Sequence, residues 1–184
     1  MNFDSTDKKI LTSLCQNPHL SQSEIADKVG LSQSSVAVRI EKLRKHQMIE
    51  YQIGVDPLKM GLSIARVDIA TKDATIFLDM FRNCPHFINA YAISGKYNVC
   101  LFFIGDDVKT IETLVNDHIR SSPSVNDVTV DIIIGATRNF VVPIKFVDEK
   151  HEVPQCGYGK ICIKCNVFLA ENCMERLGSA FVLQ

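Results

Sequence analysis

The most informative segment of the sequence is SQSEIADKVGLSQSSVAVRIEKLRK, residues 21–45. Ser21 and Glu24 have the spacing of a capping box, in which each side chain bonds the backbone N–H of the other residue at the start of a helix. Gly30 ends that helix, and Ser32 caps the next one. The next helix has apolar residues at spacings of four and three: Val36, Ile40 and Leu43. Two helices joined by so short a turn containing glycine predict a helix-turn-helix.

The residues on either side of this stretch extend the motif to a small domain. Apolar residues at helical spacing predict a preceding helix over residues 7–15, which Asn17-Pro18 ends. The residues that follow, 49–56, have the composition of an extended segment and predict a wing. We therefore assign residues 1–61 to a winged helix-turn-helix domain.

The charge of the helix after Ser32 differs from that of the whole protein. The formal net charge is −1 and the pI is near 6.5, which excludes binding to nucleic acid through overall basicity. On this helix, however, one acidic residue, Glu41, opposes four basic ones: Arg39, Lys42, Arg44 and Lys45. This local positive stripe predicts contacts with DNA phosphates, and the alternative is a solvated helix face.

Within residues 62–147, strand patterns alternate with helical ones. Strand patterns occupy residues 62–71, 87–93, 99–104 and 125–134, and helical spacing occupies 75–84 and 108–119. The order strand-helix-strand-strand-helix-strand predicts a ferredoxin-like βαββαβ domain, so the chain belongs to the α+β class. Because two helices cover one face of such a sheet, we expect a second copy of the chain on the other. The apolar run 132–134 agrees with a sheet buried on both faces.

Composition limits the other possibilities. The chain has 184 residues, 46% of them hydrophobic, which suffices for one large or two small domains. No window of about 18 apolar residues predicts a membrane span, and the first residues lack the pattern of a secretory signal. We therefore expect a cytoplasmic protein that does not contact membranes.

Together these patterns resemble the Lrp/AsnC-type transcriptional regulators over residues 5–147. The segments that carry the resemblance are DKKIL (7–11), SEIA (23–26), VGLS (29–32), RIEKL (39–43), DPLKMG (56–61) and SGKYN (94–98). The resemblance implies dimers formed through the ferredoxin-like domain, further assembly to octamers, and binding to pseudo-palindromic double-stranded DNA through two recognition helices. It also implies a small-molecule effector, in many members an amino acid.

The resemblance places the recognition helix at residues 33–45. The side chains expected to face DNA are Gln33, Ser34, Ser35, Val38, Arg39, Lys42 and Lys45. Gln33 suits pairing with adenine in the major groove, while Arg39 and Lys42 suit phosphates. Ser34 and Ser35 suit bases or phosphates, and helix capping is their alternative role.

The effector site implied by the resemblance lies at the turn 94–98, with Gly95, Tyr97 and Asn98 as its residues. Members of the family usually have Gly-Asp-Tyr-Asp there, whereas this chain has Lys96 and Asn98 in place of the acidic residues. The loss of two carboxylates removes a partner for an amino group. We therefore do not expect an ordinary amino acid as the effector, and a different effector or none remains open.

Four of the seven cysteines lie close together near the end of the chain: Cys156, Cys162, Cys165 and Cys173. Four thiolates suit a tetrahedral Zn²⁺ site, and they equally suit an iron–sulfur cluster. Two further alternatives are redox switching by the Cys162/Cys165 pair and incidental thiols. We assign residues 148–184 to a linker and cysteine-rich tail. The other three cysteines, Cys15, Cys84 and Cys100, are predicted to be core thiols.

An enzyme is the main alternative function, because haem-pathway decarboxylases look like the same two-domain family. Five histidines are dispersed along the chain, at positions 19, 46, 86, 118 and 151, and no catalytic cluster of His, Arg and Tyr is evident. An enzyme would also have no use for a positively charged recognition helix. We therefore predict a regulator without enzymatic activity.

Overall fold

A computed structural model describes residues 3–144 of the chain. The chain divides into two compact units, one ending at Gln52 and the other beginning at Ile53. The predicted tail, residues 148–184, lies outside the described residues, and so do its four cysteines.

Three helices form the first unit: α1 (Ser5–Gln16), α2 (Gln22–Val29) and α3 (Gln33–Lys45). The capping box of Ser21 and Glu24 at the start of α2 is confirmed, with each side chain bonded to the other residue's backbone. Gly30 ends α2 in a left-handed conformation (φ 71°), which glycine adopts without the steric cost of a Cβ.

The core of the first unit is apolar and completely enclosed at its centre. Ile10, Ile25, Val36 and Leu43 have no exposed surface, because the apolar positions of all three helices face inward. Burial of each such side chain contributes about 1.5–3 kcal/mol. The predicted buried face of α3 is therefore confirmed, and it leaves the opposite face of this helix at the surface.

The second unit is a four-stranded sheet with helices on one side. Its elements are β1 (Ser63–Thr71), α4 (Ala74–Met80), β2 (Phe87–Ala92), β3 (Val99–Gly105), α5 (Val108–Val115), a π-helical turn (Asn116–Arg120) and β4 (Val125–Ile133). The strands are all antiparallel to their neighbours, in the order β2-β3-β1-β4. This is the predicted ferredoxin-like arrangement, and the α+β class is confirmed.

The main core lies between this sheet and its helices. Alternate residues of β1 and β3 point into it, and they pack on α4 and α5. Phe81 and Phe103 meet edge to face, with ring centroids 5.0 Å apart. This geometry is favourable for aromatic pairs beyond the area that they bury.

The other face of the sheet is only partly covered by this chain. Leu62, Ile64 and Ile104 form a small buried cluster there, with Phe140 and Ile144 packed against it. The next two positions of this face along β1 are polar, and Arg66 forms an ion pair with Asp68 at 2.6 Å. Beyond the sheet, the side chain of Ile134 is 98% exposed. The apolar run 132–134 is thus not buried on both sides within one chain.

The segment after α3 differs from the expected wing. Residues 50–54 form no strand, and Val55 instead makes an antiparallel bridge with Val142, with two backbone hydrogen bonds of 2.9 and 3.0 Å. Residues 53–61 therefore group with the second unit, whereas the sequence pattern places the domain boundary after residue 61. The reason is that their partners lie about 80 positions further along the chain, as in the Lys59–Asn139 hydrogen bond.

Within residues 3–144, no helix is both long enough and apolar enough to span a bilayer.

Candidate functional site

The start of α3 is organised by three neighbouring serines. Ser32 caps the helix, and its Oγ accepts a hydrogen bond from the backbone N–H of Ser35 at 3.2 Å. The hydroxyls of Ser34 and Ser35 lie 3.1 and 2.8 Å from the same Oγ. Ser32 alone therefore caps the backbone, and the alternative role of Ser34 and Ser35 as the cap is not what the structure shows. All three serines are exposed.

The surface of α3 opposite its buried face presents most of the side chains expected to contact DNA. Gln33, Ser34, Ser35, Lys42 and Lys45 are exposed, and Val38 is an apolar side chain with 69% of its surface exposed. An exposed valine in the middle of a helix has no packing role in one chain. It is suited to contact an apolar group such as a thymine methyl.

Arg39 lies on the same helix but has partners within the protein. Its Nη1 donates to Oδ2 of Asp4 at 2.8 Å and to Oδ1 of Asp7 at 2.7 Å. These hydrogen bonds, first of all the one to Asp7, raise the pKa of the Arg39 guanidinium. The sequence pattern predicts a phosphate contact for Arg39, whereas in the structure Arg39 forms ion pairs with two carboxylates.

The two carboxylates also cap helix α1. Asp4 accepts from the backbone N–H of Asp7 at 2.8 Å, and Asp7 accepts from that of Asp4 at 3.2 Å. The backbone N–H of Asp7, and next the Arg39 guanidinium, lower the pKa of the Asp4 carboxyl. Sequence inspection missed this pair, although Asp-x-x-Asp before an apolar stripe has the spacing of a capping box.

A shallow depression of about 550 Å³ joins these groups on the surface of the first unit. It is lined by Asp4, Asp7, Ser34, Ser35, Val38, Arg39 and Lys42. Five of the seven predicted DNA-facing residues therefore lie together, while Gln33 and Lys45 are not part of this lining. The two acidic and two basic side chains balance, so the depression has no net charge.

The free positive charge of α3 is concentrated toward its end. Its last turn contains Lys42, Arg44 and Lys45, where cations also interact favourably with the helix dipole. The Arg44 guanidinium lies over the Tyr51 ring, 5.2 Å from its centroid. Lys42 and Lys45 form no ion pair within the described part of the chain, so they remain available to an anionic partner.

In the second unit, the predicted effector turn forms its own network. Gly95 has a φ of 128°, which a residue with a side chain rarely adopts. Lys96 Nζ donates to Asp127 Oδ2 at 2.6 Å, and the Tyr97 hydroxyl donates to the same oxygen at 3.1 Å. The bond to Lys96 lowers the pKa of the Asp127 carboxyl, and the same bond raises the pKa of Lys96.

Asn98 has a structural role in this turn. Its amide Nδ2 donates to the carbonyl of Thr71 at 2.8 Å, and its Oδ1 accepts from the N–H of Thr71 at 3.0 Å. The β1–β4 register shifts between Ala70 and Thr71, so the side chain supplies bonds at an irregular point of the sheet. Of the three predicted effector residues, Asn98 thus already uses both the oxygen and the nitrogen of its side-chain amide in hydrogen bonds to Thr71.

Three of the seven cysteines lie within the described residues, and four lie outside them. The predicted metal ligands Cys156, Cys162, Cys165 and Cys173 lie outside the described residues. Cys100 is buried, as expected of a core thiol, and Cys84 is partly buried. The prediction for Cys15 is wrong, because the side chain is exposed on the solvent face of α1. Within residues 3–144 no cluster of three or more His, Cys, Asp or Glu is placed to hold a metal ion.

A helix-turn-helix with an exposed recognition face, followed by a ferredoxin-like domain, defines the class of DNA-binding regulators with a separate sensing domain. Residues 3–50 match the family model for winged helix-turn-helix DNA-binding domains, and residues 63–139 match that for the Lrp/AsnC ligand binding domain. The chain belongs to the Lrp/AsnC family of transcriptional regulators. Members of this family bind DNA and effector ligands and oligomerise.

Individual relatives agree with this assignment. The chain is 29% identical over 130 residues to the proline dehydrogenase transcriptional activator of Rhodobacter capsulatus, covering 67% of this chain and 84% of that protein. It is 25% identical over 150 residues to the transcriptional regulator AzlB of Bacillus subtilis, covering 77% and 96%. The structure of E. coli AsnC shares the fold, with a TM-score of 0.65 at 20% identity, covering 75% of this chain and 96% of that one. The two sequence relatives are a transcriptional activator and a transcriptional regulator, and the alternative of a decarboxylase-like enzyme has no support among the relatives.

Proposed function

We propose that this regulator acts in the cytoplasm as a homodimer that places one α3 helix of each copy in the major groove of a pseudo-palindromic operator. The observation that carries the proposal is the exposed face of α3, on which Ser34, Val38 and Lys42 lie opposite the buried apolar residues of the same helix. Gln33 is exposed in the first turn. Two such helices related by two-fold symmetry read half-sites about one helical turn apart, roughly 10–10.5 base pairs.

Each side chain of this face has a distinct part in the proposed complex. Gln33 and Val38 contact base edges, and Ser34 and Ser35 bond bases or phosphates near the start of α3. Lys42 and Lys45 neutralise phosphates and supply affinity without sequence preference. Removing a base contact should therefore relax specificity at one position, whereas removing a lysine should weaken binding to every sequence.

Selection of duplexes from a random-sequence pool by the full-length protein tests the proposal. Enriched duplexes should contain two inverted half-sites at the stated spacing. Lys42→Ala should then weaken binding and reduce the slope of log K against log salt by about 0.9 per helix. Lys109→Ala is the matched control, since this exposed lysine lies on α5 of the second unit. Enrichment of no duplex, or equal effects of the two variants, would contradict the proposal.

We propose that any effector of this chain is not an ordinary amino acid. Lys96 stands where the family usually has an acidic residue, and its charge is paired with Asp127. Asn98, at the other usually acidic position, bonds the backbone of Thr71. The turn itself contains no carboxylate, and the nearby carboxylate of Asp127 is already paired with Lys96. The turn therefore offers no free carboxylate to an amino group. Calorimetry with each common amino acid should show no binding heat, and a saturable signal from any of them would contradict this proposal.

We also propose that the C-terminal cysteines hold a metal, with Zn²⁺ preferred. Support comes from the sequence alone, because four thiolates in Cys156, Cys162, Cys165 and Cys173 suit tetrahedral zinc. An iron–sulfur cluster and a redox-active Cys162/Cys165 pair are the alternatives. Zinc, iron and sulfide should be measured per chain after anaerobic purification. One zinc per chain supports the proposal, iron with sulfide indicates a cluster, and absence of all three leaves the redox pair.

Further assembly of dimers to an octamer is proposed on the family resemblance alone. The mass of the full-length protein in solution distinguishes two copies from eight, given a chain of 20.6 kDa.

A further inference from the structure

The ion pairs of Arg39 lie at the border of the DNA-facing surface, and they join two helices that are distant in sequence. Nη1 of Arg39 on α3 bonds Asp4 and Asp7 at the start of α1, at 2.8 and 2.7 Å. The same two carboxylates accept the backbone N–H groups that begin α1. One guanidinium therefore connects the recognition helix with the first turn of α1.

Burial of the Asp7 side chain makes this connection hard to break. The side chain is 3% exposed, while those of Arg39 and Asp4 are 32% and 43% exposed. A buried carboxylate that loses its counter-ion bears a large desolvation cost. If Arg39 swung out to a DNA phosphate, it would leave Asp7 buried and unpaired, whereas Lys42 can reach a phosphate with no such loss.

The charges around the depression also favour an Arg39 that stays paired with Asp4 and Asp7. Asp4 and Asp7 line the depression beside Ser34, Val38 and Lys42, where phosphates of a bound duplex would approach. Without Arg39, two negative charges would stand at this border and repel the DNA backbone. With Arg39 in place, one cation and two backbone N–H groups compensate both carboxylates.

We propose that Arg39 is a positioning residue, which sets α3 against the first turn of α1 and compensates two carboxylates at the border of the DNA-facing surface, and that it makes no phosphate contact. The proposal rests on the proposed role of α3 in DNA binding. It removes Arg39 from the residues of that helix whose charge suggested a phosphate contact, and it leaves Lys42 and Lys45 in that role.

The first test compares sequence discrimination with salt dependence. Full-length protein carrying Asp7→Asn, which keeps an acceptor oxygen, is titrated with a selected duplex and with a scrambled one. A positioning role predicts that the ratio of the two affinities falls several-fold, because α3 is less well placed. If Arg39 instead contacts phosphate in competition with Asp7, release of Arg39 should strengthen binding to both duplexes equally and leave the ratio unchanged. That result would overturn the proposal.

The second test replaces Arg39 and Asp7 together. Arg39→Met alone leaves Asp7 unpaired and should weaken binding to the selected duplex, whereas Asp7→Leu with Arg39→Met replaces both partners by apolar groups of similar size. The double variant should recover most of the lost affinity and keep the salt slope of the unmodified protein. Thermal melts identify any variant that is unfolded at the binding temperature, and the double variant remains informative if Arg39→Met unfolds.

Two results of the second test would overturn the proposal. One is a double variant that folds but binds as weakly as Arg39→Met. The other is a salt slope reduced by about 0.9 per helix in the double variant, which is the signature of a lost phosphate contact. Failure of the unmodified protein to select any duplex would instead contradict the proposed function, so the two failures are distinguishable.

Discussion

At the scale of single residues, Asn98 shows how one side chain substitutes for backbone pairing. Its amide bonds both the N–H and the C=O of Thr71, a buried residue at an irregular point of β1. The sequence motif places Asn98 in an effector turn, and nothing in its local sequence indicates Thr71 as a partner. Only the fold, which brings positions 71 and 98 together, reveals the role.

Asn98→Ala should therefore lower the free energy of unfolding by about 1–3 kcal/mol, because two buried backbone groups would lose their partners. Urea denaturation followed by circular dichroism measures this change. Asn126→Ala, at an exposed position of β4, is the matched control and should have little effect. Equal midpoints for both variants would show that the bonds to Thr71 contribute nothing.

His118 predicts a pH dependence of stability. Burial lowers the pKa of its imidazole below the usual value near 6.5, and the ring meets Phe81 edge to face. As pH falls below 6.5, the unfolded chain takes up this proton before the folded one, so stability declines until the pH reaches the folded-state pKa. His118→Gln should flatten this part of the stability profile, measured by denaturation between pH 7 and 5, whereas exposed His19→Gln should not.

At the scale of elements, the helices and strands follow local patterns closely. The helix predicted over 108–119 is observed as α5 followed by a π-helical turn, and the strand predicted over 125–134 ends at Ile133. Capping residues and periodicity are local properties, so the sequence alone shows them. Local patterns do not predict the arrangement of the segment after α3, because it pairs with Val142 through Val55 rather than with a neighbouring wing strand.

Gly54 makes that pairing possible. A Cβ at this position would lie 2.5 Å from the carbonyl oxygen of Val142, so Gly54→Ala should separate the two segments. We expect a loss of about 1–3 kcal/mol, as for other overpacking substitutions, and faster amide exchange at Val55 and Val142. Gly135→Ala is the matched control, since no atom lies within 4 Å of its Cβ position. Unchanged exchange in Gly54→Ala would contradict the close approach.

At the scale of the whole molecule, the uncovered sheet face is where a second copy is expected. Tyr91 on β2 is 49% exposed and meets Phe102 of β3 edge to face, next to the Arg66–Asp68 ion pair. Aromatic residues and arginine are enriched in protein–protein interfaces relative to the rest of the protein surface. The helices cover the opposite face of the sheet. A charged substitution on the uncovered face should therefore weaken association of the two copies, whereas one on the helical side should not.

Tyr91→Glu should therefore shift the full-length protein toward the 20.6 kDa single chain in sedimentation equilibrium, because a buried unpaired carboxylate opposes association. Ile76→Glu, an equally apolar exposed position on α4 of the helical side, should leave the assembly mass unchanged. If Tyr91→Glu kept the mass of the unmodified protein, the dimer would not use this part of the sheet.

Caps, periodicity and motif spacing are properties of neighbouring residues, so the sequence is sufficient to predict the three helices of the first unit, the order of strands and helices in the second, and the family. The partners of residues far apart in the chain depend instead on how the chain folds. Arg39 lies 32 positions from Asp7, and Asn98 lies 27 from Thr71. A charged or amide side chain binds whatever the fold places within about 3 Å, so its role is set by packing and not by its own segment.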